Sequence, residues 1–190
     1  IRDRISKVYK LTMKILAIQN RMGIGDTVIF LPYIQAISKK FDTPVSLLVK
    51  ESSKADQYLN QTDYIDKIIF LDRDRQNKYA KHNGIVGSLR LAKNLKDNNF
   101  DKIFIFNSSL RFNLVARLSQ IPEVYQYPLF NKNQQHIIDT PKKFMKERLN
   151  LDINEDPDIQ INEALISKSI QKFKINKNEF NILLGIGGSG

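Results

Sequence analysis

Met13-Lys14-Ile15-Leu16-Ala17-Ile18-Gln19-Asn20-Arg21-Met22-Gly23-Ile24-Gly25-Asp26-Thr27-Val28 is the stretch on which the fold reading turns. Ile15 to Ile18 is a short apolar run closed by a glycine turn, the pattern of a strand buried on both faces of a parallel sheet. From Asp26 to Lys40, apolar residues fall at Val28, Ile29, Leu31, Ile34 and Ile37, which is mostly helical spacing. Pro32 lies inside that run, so it must kink the helix or delay its regular part. A strand, a glycine turn and a helix start are the opening of an α/β domain.

Working outward, the same alternation continues. Val45–Val49 reads as a second strand, 52–60 as a short helix and Lys67–Leu71 as a third strand. Asp72 to Asn83 is polar and charged, a loop. Ile85 to Lys96 reads as a helix with Leu89, Ala92 and Leu95 on one face. Lys102 to Phe106 is a fourth strand, Leu110 to Leu118 a helix, Val124 to Tyr127 a short fifth strand and Gln135 to Leu149 a further helix. Asp152 to Asp158 is acidic, contains Pro157 and reads as a linker. Asn162 to Phe173 is a weaker helix, and Asn181 to Ile186 is a strand running into Gly187-Gly188-Ser189-Gly190. Strands alternating with helices predict a parallel sheet with helices on both faces. Ligands of such sheets bind at the carboxyl ends of the strands. Three turns are therefore of interest: Asn20 to Asp26, Asn107 to Arg111, and Gly187 to Gly190.

The composition narrows the classes. At 190 residues the chain is sized for one domain or a little more, enough to hide roughly 70% of its unfolded surface. No run reaches the ~18 apolar residues of a membrane span, and Ile1 to Lys10 has no secretory pattern. There is no cysteine, which removes disulfides, thiolate metal sites and cysteine nucleophiles and fits a reducing compartment. The net charge of +10 has two compatible readings: an acidic partner such as phosphate, nucleic acid or an anionic membrane, or a lysine-rich composition with charges spread along the chain.

The glycine turn carries two of the three glycines of the dinucleotide fingerprint, with Val28 where the third would stand, so a dinucleotide site is not expected. Gly23 and Gly25 suit a tight turn with positive φ, or close approach of another group to the backbone. Asp26 is a favoured N-cap. It is also a candidate general base, provided that one of its carboxylate oxygens stays free.

These residues carry a family resemblance. Met13-Lys14-Ile15-Leu16, then Gly23-Ile24-Gly25-Asp26-Thr27-Val28, then Leu31-Pro32 resembles the opening of the ADP-heptose:lipopolysaccharide heptosyltransferases, glycosyltransferase family 9. Tyr64-Ile65-Asp66-Lys67-Ile68-Ile69 resembles that family's "pyvDeVi" segment. Phe100-Asp101-Lys102-Ile103-Phe104-Ile105 resembles its "fDlvid" strand. Asn107-Ser108-Ser109-Leu110-Arg111 with Ala116-Arg117-Leu118 resembles its "lqgnlRs…a.l.g" segment. Ile182 to Ser189 sits where the family's second domain begins. Two departures stand out: Gln19-Asn20-Arg21-Met22 replaces small hydroxyl residues, and Asn107-Ser108-Ser109 replaces a glutamine-glycine pair.

The resemblance implies the N-terminal half of a GT-B enzyme with a Rossmann-like sheet. Residues 1–12 would be an extension, 13–150 the acceptor-binding domain, 151–180 the interdomain connection and 181–190 the truncated start of the nucleotide-sugar domain. It implies an inverting, metal-independent transfer of a heptose-like sugar from a nucleotide-diphosphate donor, an ADP-sugar first, to a lipopolysaccharide-type or other envelope glycan. No cofactor is implied. Asp26 would be the catalytic base. Gly25, Arg73, Arg75, Asn107, Ser108 and Arg111 would meet the acceptor, and Gly187, Gly188 and Ser189 the donor diphosphate, as suits a glycine turn at a helix start. The partners would be the nucleotide-sugar and an anionic glycolipid or glycan, with peripheral association at the inner membrane, a cytoplasmic setting and no nucleic acid. A chain ending at the donor domain's first strand is not expected to catalyse alone.

The competing reading is a non-enzymatic basic module holding nucleotide, nucleic acid or anionic glycolipid, but the chain has no recognised nucleic-acid motif. His82 and His136, the two histidines, read as solvated or capping residues. Arg73, Asp74, Arg75, Lys78 and Lys81 form the densest charge cluster, either a solvated loop or a loop meeting phosphorylated sugars.

Overall fold

The run Ile15–Ile18 forms β1, and all four of its residues are buried. They can be buried together because both faces of the strand are covered. The computed structural model describes residues 13–21, 23–74, 76–77, 79–129, 136–176 and 178–182. The predicted strand at Asn181 to Ile186, and Gln135, fall largely or wholly outside them.

Five parallel strands, β1, β2 (Val45–Val49), β3 (Ile65–Phe70), β4 (Lys102–Ile105) and β5 (Glu123–Gln126), lie in the order β3-β2-β1-β4-β5. Ile15 stands beside Val45 on one side and Lys102 on the other, and Lys102 beside Glu123. The fold is therefore the expected Rossmann-like α/β sheet.

Alternation along each strand divides the core. Ile15, Ala17, Val49 and Phe104 pack with Phe30, Leu31, Ile34 and Ile37 of α1 (Ile24–Phe41) and with Phe144, Met145 and Leu149 of α5 (Asp139–Leu149). Leu16, Ile18, Ile103 and Ile105 pack on the opposite face with Leu91, Ala92 and Leu95 of α3 (Gly84–Lys96) and with Phe112, Val115 and Ala116 of α4 (Leu110–Leu118). Each fully buried Ile or Leu contributes about 1.5–3 kcal/mol of transfer free energy, which makes this two-sided burial the main force holding the sheet.

Several elements differ from their sequence readings. α1 begins at Ile24, two residues earlier than the spacing predicts, and it runs through the buried Pro32 without ending there. Residues 52–60 form no single helix: a 3₁₀ turn at Glu51–Ser53 is followed by the one-turn α2 (Ala55–Tyr58). In α3 the buried face is Gly87, Ser88, Leu91, Ala92 and Leu95, while Leu89 turns to solvent. The reason is steric. A Cβ on Gly87 would lie 2.3 Å from the His82 carbonyl carbon, so only glycine allows the helix to seat that closely. The acidic segment after α5 has no regular structure but packs through the buried Ile153, and the Asp158 carbonyl accepts a 2.5 Å hydrogen bond from the Tyr64 hydroxyl. α6 (Glu163–Phe173) follows, capped by the Asn162 side chain, and buries none of its residues.

Candidate active site

The strand order reverses at β1 and β4. The chain leaves β1 for α1 on one face and leaves β4 for α4 on the other, which is the switch point where sheets of this kind offer a ligand crevice at their carboxyl edge. Asn20 and Asn107 bridge the two loops there, with Asn107 Nδ2 donating to Asn20 Oδ1 at 3.2 Å. Gly25 and Asp26 lie on the β1 side. Asn107, Ser108 and Arg111 lie on the β4 side, and Arg73 lies in the loop after β3.

Asp26 is not the N-cap of α1. Gly23 holds that position, with φ −96° and ψ 160°, and Asp26 is the third helical residue. Its Oδ2 accepts the Gly23 backbone N–H at 3.3 Å, half of a capping box that glycine, with no side chain, cannot return. The other oxygen, Oδ1, accepts no hydrogen bond among the described residues and lies 3.8 Å from the Arg21 guanidinium. The carboxylate thus holds the helix start with one oxygen and leaves the other facing a cation and solvent, at 32% side-chain exposure.

The glycines are not explained by positive φ. Gly84 is the one described glycine in that region. Gly25 sits inside the first turn of α1, exposed, and a Cβ added there would meet nothing within 4 Å. The protein's own packing therefore does not require glycine at this position.

Two buried glutamines, which the sequence reading missed, fix the crevice walls. Gln19 donates from Nε2 to the Asp26 carbonyl at 3.2 Å and accepts the Arg21 N–H at 2.8 Å, tying the strand end to the helix start. Gln126 donates to the carbonyls of Asn107 and Ser109 at 3.1 and 2.9 Å and accepts from Asn113 at 2.8 Å. Asn107 Oδ1 also accepts the Ser109 N–H at 3.0 Å. Each glutamine is recognisable only once its distant partners are known.

Arg111 sits in a strained electrostatic setting. It donates to the His82 carbonyl, and its Nε is buried without a hydrogen-bond partner. Burial first, and then the positive charge of Arg73, push its pKa down. Two guanidiniums that destabilise each other beside an open donor favour an anion between them. His82 is not solvated as expected. It is buried, and its Nδ1 accepts the Asp72 N–H at 3.1 Å. Burial is the main cause of its lowered pKa; Asp72 opposes this, and Arg111, Arg90 and Lys81 add to it. Tyr127, just beyond β5, has a buried hydroxyl with no partner, and burial pushes its pKa up, so it stays a neutral donor.

Arg75, Lys78, Gly187, Gly188 and Ser189 lie outside the described residues. Among the described residues, no three His, Cys, Asp or Glu side chains gather as a metal site, and no helix is long and apolar enough to cross a membrane.

A Rossmann-like α/β domain with charged side chains near its topological switch point is the class that fold and site define. Solved structures narrow it. The chain is similar to the glycosyltransferase family 9 structure from Veillonella parvula, with TM-score 0.66 and 14% identity over 88% of this chain and 51% of that one. It is also similar to E. coli ADP-heptose lps heptosyltransferase II, with TM-score 0.58 and 15% identity over 87% and 52%. E. coli heptosyltransferase WaaC with ADP-2-deoxy-2-fluoro heptose aligns at TM-score 0.51 and 13% identity over 77% and 51%. The resemblance to family 9 thus extends to the fold, and the chain spans about half the length of these proteins. No family model and no curated protein matches the sequence.

Proposed function

We propose that this chain is the acceptor-binding half of an inverting, nucleotide-sugar-dependent glycosyltransferase of bacterial envelope glycan synthesis. The observation that carries the reading is the division of labour at Asp26: Oδ2 is held by the Gly23 N–H, and Oδ1 is free of hydrogen bonds among the described residues. A carboxylate so held can take a proton without losing its position.

The acceptor lies in the crevice with its hydroxyl at Asp26 Oδ1. As the hydroxyl oxygen bonds to the anomeric carbon, its proton passes to Asp26. The bond from that carbon to the diphosphate breaks, and the nucleoside diphosphate leaves with the electron pair. Inversion follows from attack opposite the leaving group. Arg111 and Arg73 hold an anionic group of the acceptor, Asn107 and Ser108 line its sugar, and Gly25 lets it approach the backbone. Gly187, Gly188 and Ser189 meet the donor diphosphate at the start of the second domain. An ADP-sugar with a heptose-like unit is the donor we favour, since the similar structures include heptosyltransferases. A lipopolysaccharide-type glycolipid is the favoured acceptor, and the enzyme works without a cofactor at the inner face of the membrane that holds it.

The test is acceptor-dependent release of nucleoside diphosphate from a panel of nucleotide sugars by the two-domain protein this reading requires. Release from one donor only in the presence of glycolipid supports it. No turnover with any donor, together with steeply salt-dependent binding to nucleic acid, would replace it with the binding-module reading.

A further inference from the structure

α3 and α4 pack side by side: Leu91, Ala92 and Leu95 meet Phe112, Val115 and Ala116, and Ser119 Oγ donates to the Ala92 carbonyl at 3.0 Å. Away from that contact both helices show apolar residues to solvent. On α3 these are Ile85 at 82% exposure, Val86 and Leu89; on α4 they are Leu110, Leu114 and Leu118, spaced one helical turn apart. Tyr79, 94% exposed, stands just before α3. Exposed apolar groups gathered on neighbouring helices mark an interaction surface.

The charges carried by the two helices themselves are of one sign. α3 carries Arg90, Lys93 and Lys96, α4 carries Arg111 and Arg117, and neither helix contains an Asp or Glu. By contrast, α5 and α6 mix both signs. Arg111 is turned inward to His82, but Arg90, Lys93, Lys96 and Arg117 are exposed. Apolar side chains on helices that carry cations and no acid complement an anionic bilayer: the cations meet headgroups and the apolar residues enter the acyl boundary.

We propose that the outer face of α3 and α4 is a docking surface for an anionic membrane. The apolar side chains of α3 fall in its first two turns, and α4 starts directly after the loop that forms the crevice. Docking on this face sets the crevice mouth at headgroup level. The proposal takes its biological setting from the glycolipid-acceptor reading, but vesicle binding is measured without turnover, so either idea can fail alone.

The test is co-sedimentation of the chain with vesicles of phosphatidylethanolamine and phosphatidylglycerol, against phosphatidylcholine vesicles. Binding to the anionic vesicles alone is expected. Lys93→Glu with Arg117→Glu should weaken it at least ~25-fold, since each cation near such a surface is worth about fivefold. Leu89→Ser with Leu114→Ser, at exposed positions that leave the fold unchanged by circular dichroism, should weaken it about tenfold or more. Leu165→Ser with Phe173→Ser on α6 should leave it unchanged. Equal binding by the α3–α4 variants, equal loss in the α6 variant, or a dimer in solution that the Leu89 and Leu114 changes dissociate would overturn the proposal.

Discussion

Replacing Gly25 by alanine separates what the fold needs from what a ligand needs. The residue sits in the first turn of α1 without positive φ, and the new Cβ would meet no atom within 4 Å. The native conformation therefore accepts alanine, while the unfolded chain loses freedom, which stabilises the folded state by about 0.4–1 kcal/mol. For a domain of this size that is a rise of roughly 1–4 °C in melting temperature. If the acceptor occupies the open space above Gly25, one intruding methyl should cost about 1–3 kcal/mol of acceptor binding, or about 10- to 200-fold in affinity. Thermal unfolding and acceptor titration by calorimetry read the two effects separately. A lower melting temperature would show that the fold itself uses the glycine. A stabilised variant with unchanged acceptor affinity would refute the claim that this space belongs to the ligand.

Other consequences follow from the same geometry. Gly87→Ala forces a Cβ to 2.3 Å from the His82 backbone and should cost about 1–3 kcal/mol in urea unfolding; a neutral result would contradict the close helix seating. His82 has its folded pKa lowered by burial below the ordinary 6.5, so between the two values the unfolded state binds a proton that the folded state does not. Stability should be full above about pH 6.5 and fall as pH drops below it, and His82→Gln should flatten that part of the profile. Gln126→Ala leaves two carbonyls and the Asn113 side chain short of a partner and should cost about 1–3 kcal/mol in denaturant unfolding, with faster amide exchange at Ser109.

The regular elements were legible where a single physical signal dominates. The bounds of β1, β2 and α4 follow from short apolar runs and turn residues alone. Leu89 misled because hydrophobic spacing cannot register that Gly87 and Ser88, small residues, seat the helix. Asp26 read as the N-cap because the true cap, Gly23, offers no side-chain signal. Gln19, Gln126 and the buried His82 escaped notice because polar residues read as surface until their distant partners are known. The even spread of lysines along the sequence likewise hid the acid-free faces of α3 and α4, which only folding brings together.

On the proposed mechanism Asp26 takes the acceptor's proton. Asp26→Asn keeps an oxygen to accept the Gly23 N–H, so helix α1 and acceptor affinity should stay within about twofold of the parent while single-turnover transfer in the two-domain protein falls about 10²- to 10⁴-fold. Transfer at the parent rate by a folded Asp26→Asn variant would contradict the account.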